Sequence, residues 1–380
     1  MDFVNESGFP ADLARAGLFY RDLMLATVVV KAAFEVGPDG GVARVDDQLP
    51  VSEADVQTDL GSIDGDVVPV KPGCDFAVLG RAHAPSPDRP VDRLEIDLRA
   101  GSFSRRLLVF GDRTWTASGN GFRPSPPQPF TVQPITYAHA FGGVAVHTGK
   151  LKGPYGPNGR GKGYVLLKEH VAGTPLPNVE EADQLLSSWD ETPMPAGLAP
   201  LPRDSSLRMN EGFAVNLEAQ TTQLGPAAFS FSHPRMRLPS YPGGEEVVLK
   251  GMRPGLDWKF TLPPLAFHAQ VTLGDARYAL PLDVDTLCLF PDHGRFYAVA
   301  RRCFVYQLLP RRTRRIRLAT GQAPPGLATT TVKAEQASAS PLVRIEPPMA
   351  RGDLPLPFDL FIGLYPLTRI VEQLPLCPSG

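Results

Sequence analysis

The chain has 380 residues and a formal net charge of −2, room for one large domain or two modest ones with a sizeable core. Hydrophobic residues make up 43% and charged residues 21%, as in ordinary soluble globular proteins, and the near-neutral charge disfavours nucleic acid or an anionic membrane as partner. The 41 prolines and 36 glycines follow no period, so collagen is excluded, and the apolar content excludes wholesale disorder.

Proline at this level disfavours long helices and suits short strands joined by rigid turns. The N-terminus carries Asp2 and Glu6 in place of a basic region followed by an apolar run, so no signal peptide is expected. The longest apolar run, Leu23 to Val30, is too short to span a bilayer. Cys74, Cys288, Cys303 and Cys377 lie far apart, which points to free thiols in a reducing compartment. A soluble, cytoplasmic protein is expected.

Pro10 precedes one possible short helix, Ala11 to Phe19. Leu23 to Val36 is rich in β-branched residues and predicts a strand, ended by Gly37-Pro38. The acidic residues between Asp46 and Asp66 are too dispersed for a metal loop and read as a solvated face. Asp75 to Ala84 predicts a short strand. Leu94, Ile96 and Leu98 then alternate with Arg93, Glu95, Asp97 and Arg99, and Phe103 to Phe110 runs back after Ala100-Gly101-Ser102. Gly111-Asp112-Arg113 turns into Thr114-Trp115-Thr116, which predicts a meander with one wet face.

Residues 123 to 134 are proline-rich and lead into the stretch that organises the chain, Tyr137 to Tyr164. Glycines are spread through it from Gly142 to Gly163, the composition of a shaped loop. Asn178 is placed to cap a short helix over Glu181 to Ser188. Three strand pairs follow: Glu246 to Lys250 with Trp258 to Leu262, Gln270 to Leu273 with Tyr278 to Leu282, and Thr286 to Phe290 with Arg295 to Val305. The expected fold is mainly β, with antiparallel meanders forming a sandwich or barrel-like body, long Gly/Pro-rich loops and few short helices. Residues 1–317 form this domain, 318–341 a flexible linker, and 342–380 an apolar segment that docks on the body or on a partner.

Gly156 to Lys162 fits the first seven positions of a phosphate-binding loop, but Gly163 stands where the hydroxyl residue belongs, and neither a buried strand before nor a helix after is predicted. A loop shaped for packing or for a partner's backbone is preferred. The seven histidines form no close ligand pair, and no Gly-x-Ser-x-Gly elbow or nucleophile context is present. No catalytic set, cofactor or metal site is expected. The basic run from Arg301 to Arg317 reads as a solvated strand end or a contact for an acidic protein.

Five segments in order carry a resemblance. They are Val67-Val-Pro-Val-Lys-Pro-Gly-Cys-Asp75 with Leu79-Gly-Arg-Ala, Val109-Phe-Gly-Asp-Arg-Thr-Trp115, Tyr137-Ala-His-Ala-Phe-Gly-Gly143, Leu176-Pro-Asn-Val-Glu180 and Tyr241-Pro-Gly-Gly-Glu-Glu246. Together, over about residues 20 to 305, they resemble a domain-of-unknown-function family encoded beside type VI secretion effectors and spike proteins. The chain departs from it at Ala138 and His139, where the family has a charged pair, and in Asn158-Gly-Arg-Gly-Lys-Gly-Tyr164.

The resemblance implies a non-enzymatic adaptor or chaperone that loads an effector onto the spike, with the effector, the spike protein or both as partners. The motif residues are Tyr137, Phe141, Gly142, Gly143, Asn158, Gly161, Gly163, Tyr164, Asn178 and Glu180. They bind the partner or serve the fold alone. Strand addition at an open sheet edge is the expected binding mode. The alternative is a carbohydrate-active or hydrolase-like β-sandwich enzyme with an acidic pair. A third reading, a structural piece of the secretion apparatus, predicts self-assembly.

Overall fold

The computed structural model describes residues 1–17, 23–146, 152–208, 213–216, 221–224, 226–274, 276–307, 313–324 and 328–329. It is mostly β, with 48% strand and 7% helix, as the proline content and the alternating segments predict. In chain order the strands are β1 (Asp2–Asn5), β2 (Ala11–Gly17), β3 (Leu23–Val36), β4 (Val42–Arg44), β5 (Val56–Thr58), β6 (Gly61–Ile63), β7 (Cys74–Val78), β8 (Arg81–His83), β9 (Arg93–Ala100) and β10 (Phe103–Phe110). Next come β11 (Trp115–Ser118), β12 (Gly121–Pro124), β13 (Val132–Pro134), β14 (Phe141–Gly142), β15 (Val144–Val146), β16 (Lys152–Pro154), β17 (Lys162–Gly163), β18 (Val179–Glu181), β19 (Phe213–Asn216) and β20 (Thr221–Leu224). The rest are β21 (Arg237–Leu238), β22 (Glu246–Lys250), β23 (Trp258–Thr261), β24 (Phe267–Leu273), β25 (Ala276–Phe290), β26 (Arg295–Gln307), β27 (Arg314–Thr320) and β28 (Ala328–Thr329).

Eleven strands form a nearly closed, barrel-like sheet whose main path is β1-β27-β24-β25-β26-β3-β2. Its spine is the pairing of β3 with β26, which runs from Leu23↔Gln307 to Glu35↔Arg295. Both faces of β3 are covered. Val28, Val30, Ala32 and Phe34 join the main core, and Val29 and Ala33 join a second cluster on the opposite face. A strand covered on both sides reads as a continuous apolar run, which is why its limits were legible.

The two strands at the ends of this path, β1 and β2, are consecutive in the chain. Residues 6–10 step from one end to the other: Glu6 N–H donates to Leu318 O at 2.8 Å, and Lys31 N–H donates to Pro10 O at 3.0 Å. The Phe9 ring meets Phe34 at 6.2 Å and Phe267 edge-on at 5.8 Å. Arg44 lies over Phe9 and donates to the carbonyl of Gly8.

A second sheet of five strands runs β18-β10-β9-β22-β23 and shares the main core with the first. Ile96, Leu98, Leu107, Val109, Val247 and Leu249 supply its inward row. Phe260 of β23 stacks on Phe296 of β26 at 5.2 Å, and Phe296 on Phe34 at 5.1 Å, so three rings bind the two sheets together. The outer face of the large sheet is roofed by Val45, Leu60, Ile63 and Phe231. Buried ion pairs cross this layer, Lys31–Asp66 at 2.9 Å and Lys71–Asp75 at 2.7 Å. Cys74, Cys288 and Cys303 are buried free thiols. Among the described residues no helix is long and apolar enough to cross a membrane.

Several sequence expectations are corrected. Ala11–Gly17 is a strand, not a helix: it completes the open edge of β3 in register from Ala11↔Val30 to Gly17↔Met24, and that tertiary pairing overrides the helix propensity of its alanines. Asp75 to Ala84 is two strands, β7 and β8, with different partners. The 93–110 hairpin forms as read, but residues 114–116 do not continue it. Gly111 passes so close to the Gln128 carbonyl that a Cβ would fall inside 3.0 Å, and β18 takes the edge of β10 instead.

Asn178 caps no helix, because the residues after it extend into β18. The two strands expected around residues 278–290 are the single strand β25, bulged between Val284 and Thr286. Arg301 leaves the basic run: it is buried against Asp285 at 2.7 Å. Arg315 and Arg317 pair with Asp2 and Glu6 at 3.8 and 3.3 Å. The expected linker start at residue 318 falls inside β27, while residues 330–380 lie outside the described residues.

Candidate functional site

The stretch from Tyr137 to Tyr164 folds as a clamp. A 3-10 turn over Tyr137–His139 delivers the chain to β14, which pairs in parallel with β17, Phe141 opposite Lys162 and Gly142 opposite Gly163. Between them β15 and β16 form an antiparallel pair, Val144 opposite Pro154. Asn158 ties the structure shut. Its side-chain Nδ2 donates to Tyr137 O at 2.7 Å and Phe141 O at 3.0 Å, and its own carbonyl accepts from Gly143 N–H at 2.8 Å. Lys162 N–H donates to Ala140 O at 2.9 Å and Tyr164 N–H to Gly142 O at 3.0 Å. Gly142 has φ +146°, and a Cβ there would fall well inside 3.0 Å of the Asn158 carbonyl oxygen, so the position takes only glycine.

The aromatic residues of the clamp face inward. Phe141 is buried with Trp115, Val171, Leu176 and Leu186. Its ring meets Tyr155 edge-on at 5.2 Å, and Tyr155 lies 5.1 Å from Tyr164. Tyr137 packs separately with Ala140 and Leu201, under Gly197. Burial pushes its phenol well above the usual range. His139 shares a hydrogen bond of 2.9 Å with Thr136 Oγ1, and burial with the nearby Lys162 charge holds its pKa down.

A second node adjoins the clamp. Asn178 is fully buried, with its Nδ2 donating to Phe110 O at 3.2 Å and Asp112 Oδ1 at 2.9 Å. Its Oδ1 accepts from Lys162 Nζ at 2.9 Å, which joins the node to β17 and engages the lysine of the phosphate-loop-like segment. The buried Glu180 carboxylate pairs with Arg113 and accepts from Leu186 N–H at 2.8 Å. Burial raises its pKa against the pull of Arg113. Arg113 also donates to Pro177 O at 2.8 Å and lies 3.8 Å over the Phe110 ring. Next door, Glu181 pairs with buried Arg105 and, at 3.3 Å, with Arg235.

The ten motif residues are thus brought together, eight in the clamp and Asn178 with Glu180 in the node. All are buried except Gly161 and Tyr164, which are half-buried. Arg105, Arg113, Asp112 and Lys162, none of them among the ten motif residues, complete the arrangement. Arg105 had a signal: it shares the period-two row of Leu107 and Val109, and a charge on an inward row needs a buried partner. What the clamp turns outward is Val144, 55% exposed at the start of β15, with Lys152 and Pro154 exposed beside it on β16. Among the described residues no group of three His, Cys, Asp or Glu side chains could hold a metal ion.

No curated protein and no solved structure matches the chain. One family profile matches residues 22–301, from the start of β3 through the second sheet, the clamp and its node to Arg301 in β26, with β1, β2, β27 and β28 of the large sheet outside the match. On that match the chain belongs to DUF2169, an uncharacterized protein family conserved in bacteria.

Proposed function

We propose that the chain is a non-enzymatic adaptor or chaperone that binds a type VI secretion effector and helps load it onto the spike complex in the cytoplasm. The observation that carries this reading is the placement of the β15–β16 pair. Its base is fixed by the buried Asn158 amide and by the β14–β17 pairing, while Val144 stands exposed on its outer side. A rigid pedestal under an exposed apolar side chain, with strand edges that pair with no third strand among the described residues, suits protein recognition, because little ordering entropy is lost when a partner strand docks. The five segments that carry the family resemblance run in order from Val67 to Glu246, and one of them, Tyr137 to Gly143, leads directly into β15.

The test is co-expression of the tagged full chain with the products of its neighbouring genes, scored by size-exclusion chromatography. A stable complex with a toxin or spike protein is expected, lost on Val144→Asp while the variant's unfolding free energy stays within about 0.5 kcal/mol of the parent. Phe141→Asp is not a usable probe, since it places a charge among Trp115, Val171 and Leu176. Co-elution with no neighbour under any condition would overturn the proposal. A complex that survives Val144→Asp would move the contact away from the β15–β16 pair.

A further inference from the structure

Arg105, on the inward row of β10, uses only part of its guanidinium. Nη2 donates to the Glu181 carboxylate, while Nε and Nη1 have no hydrogen-bond partner among the described residues. Two neighbours share that condition: the Tyr137 hydroxyl and His233 Nε2. Arg105, Tyr137 and His233 are 6%, 3% and 1% exposed, so water outside the fold does not serve them.

The fold gathers the three. Tyr137 packs on Leu201, and Leu201 N–H donates at 2.7 Å to the carbonyl of Phe231, two residues before His233. Glu181 links the other side, with one carboxylate oxygen on Arg105 and the other on Arg235 at 3.3 Å. His233 Nδ1 accepts from Arg235 N–H at 3.0 Å, so the neutral ring carries its proton on Nε2. The Arg105 charge reaches both rings: it favours the Tyr137 phenolate and opposes a positive charge on His233.

The unpartnered atoms are donors. Arg105 Nε and Nη1 and His233 Nε2 can only donate here, and the Tyr137 hydroxyl has a proton to give. A water among them would need acceptors for its own two hydrogens, and both oxygens of Glu181 are engaged. Charge points the same way. Arg105, Arg235 and Arg237 all act on His233, against buried Glu181 and exposed Asp183. A second buried cluster is balanced by contrast: Lys71 and Arg301, joined through Thr286 Oγ1, meet Asp75 and Asp285, two against two. A surplus of buried donors and positive charge calls for an anion, and burial of all three side chains favours a small one.

We infer that a monovalent anion of chloride size is held by Arg105, Tyr137 and His233. The ion ties the clamp, through Tyr137, to β10 and to the 3-10 turn over Pro234–Met236.

Urea unfolding of the full chain at neutral pH and constant ionic strength, with chloride or acetate replacing gluconate, tests this. The folding equilibrium constant should rise tenfold for each tenfold rise in chloride above its dissociation constant. Tyr137→Phe keeps the buried ring and removes one donor, and should weaken chloride binding roughly tenfold. Crystals of the parent grown in bromide should give an anomalous peak beside Arg105. A folding equilibrium that ignores chloride overturns the inference, since a bromide peak would then mark an adventitious ion only. Chloride dependence identical in Tyr137→Phe, or no bromide beside Arg105, places the ion elsewhere and overturns it too. Stabilisation by acetate and not by chloride would make this a carboxylate site, and likewise overturns it.

Discussion

A Cβ on Gly142 would come well inside 3.0 Å of the Asn158 carbonyl oxygen, a separation that real Cβ atoms essentially never show. The two residues meet where the β14 and Asn158 backbones cross, and neither can yield. Gly142 is held by the β14–β17 pairing, and Asn158 by its two side-chain bonds to Tyr137 and Phe141. Gly142→Ala is therefore expected to destabilise the fold by about 3 kcal/mol or more, through the clash and the positive φ together. Gly121→Ala is the control: it meets nothing within 4 Å and should change stability by less than about 0.5 kcal/mol. Urea denaturation of the two variants checks both values.

The Arg113–Glu180 pair is buried on both sides, with side-chain exposures of 7% and 4%. Removing one charge strands the other away from water. Glu180→Gln is expected to lower stability by about 3–5 kcal/mol, and the double variant Arg113→Met/Glu180→Leu to recover much of the loss, because the stranded charge is gone. A double-mutant cycle by chemical denaturation measures the coupling.

His233 gives the fold a pH dependence. Its Nδ1 accepts from Arg235 N–H at 3.0 Å, and burial together with the charges of Arg105, Arg235 and Arg237 lowers its pKa from 6.5 to about 3. The unfolded chain takes up the proton first as pH falls. The contribution of the neutral ring is thus complete above pH 6.5 and lost progressively towards pH 3, at up to about 1.4 kcal/mol per pH unit. His233→Asn keeps an acceptor for the Arg235 amide and removes the titration. Its stability should fall less steeply over that window, as read from urea midpoints at a series of pH values.

Legibility followed physical locality. β3 was readable to its last residue because burial on both faces writes itself as a long, mostly apolar run around Thr27–Val30, closed by Gly37-Pro38. The 93–110 hairpin and the pairs around residues 274 and 291–294 were readable because glycine turns and period-two alternation lie side by side in the chain. β2 was not, since Ala-Asp-Leu-Ala-Arg-Ala is made of helix formers and only the distant edge of β3 makes it a strand. Asn178 followed the same logic: asparagine before acidic residues signals a helix start locally, and here its bonds go to Phe110, Asp112 and Lys162. The Tyr137–Tyr164 stretch was legible as a special loop. Its inward orientation was not, because glycines that admit a neighbouring backbone look the same whether that backbone is the chain's own or a partner's.

The parallel pairing of β1 with β27 has a consequence for how the protein is made. Asp2 leaves the ribosome long before its register partner, Arg315. At ordinary elongation rates that partner follows roughly 15–60 s later. Until then the first strand has no ladder to join, and the barrel stands open along the seam that Phe9 and residues 6–10 later cross. Contacts of such high sequence separation slow folding and lengthen the exposure of unpaired edges. Pairing of β1 with β27 is accordingly expected late in assembly, and moving residues 1–5 alone to follow β27 would shorten that wait from most of the chain to a single turn.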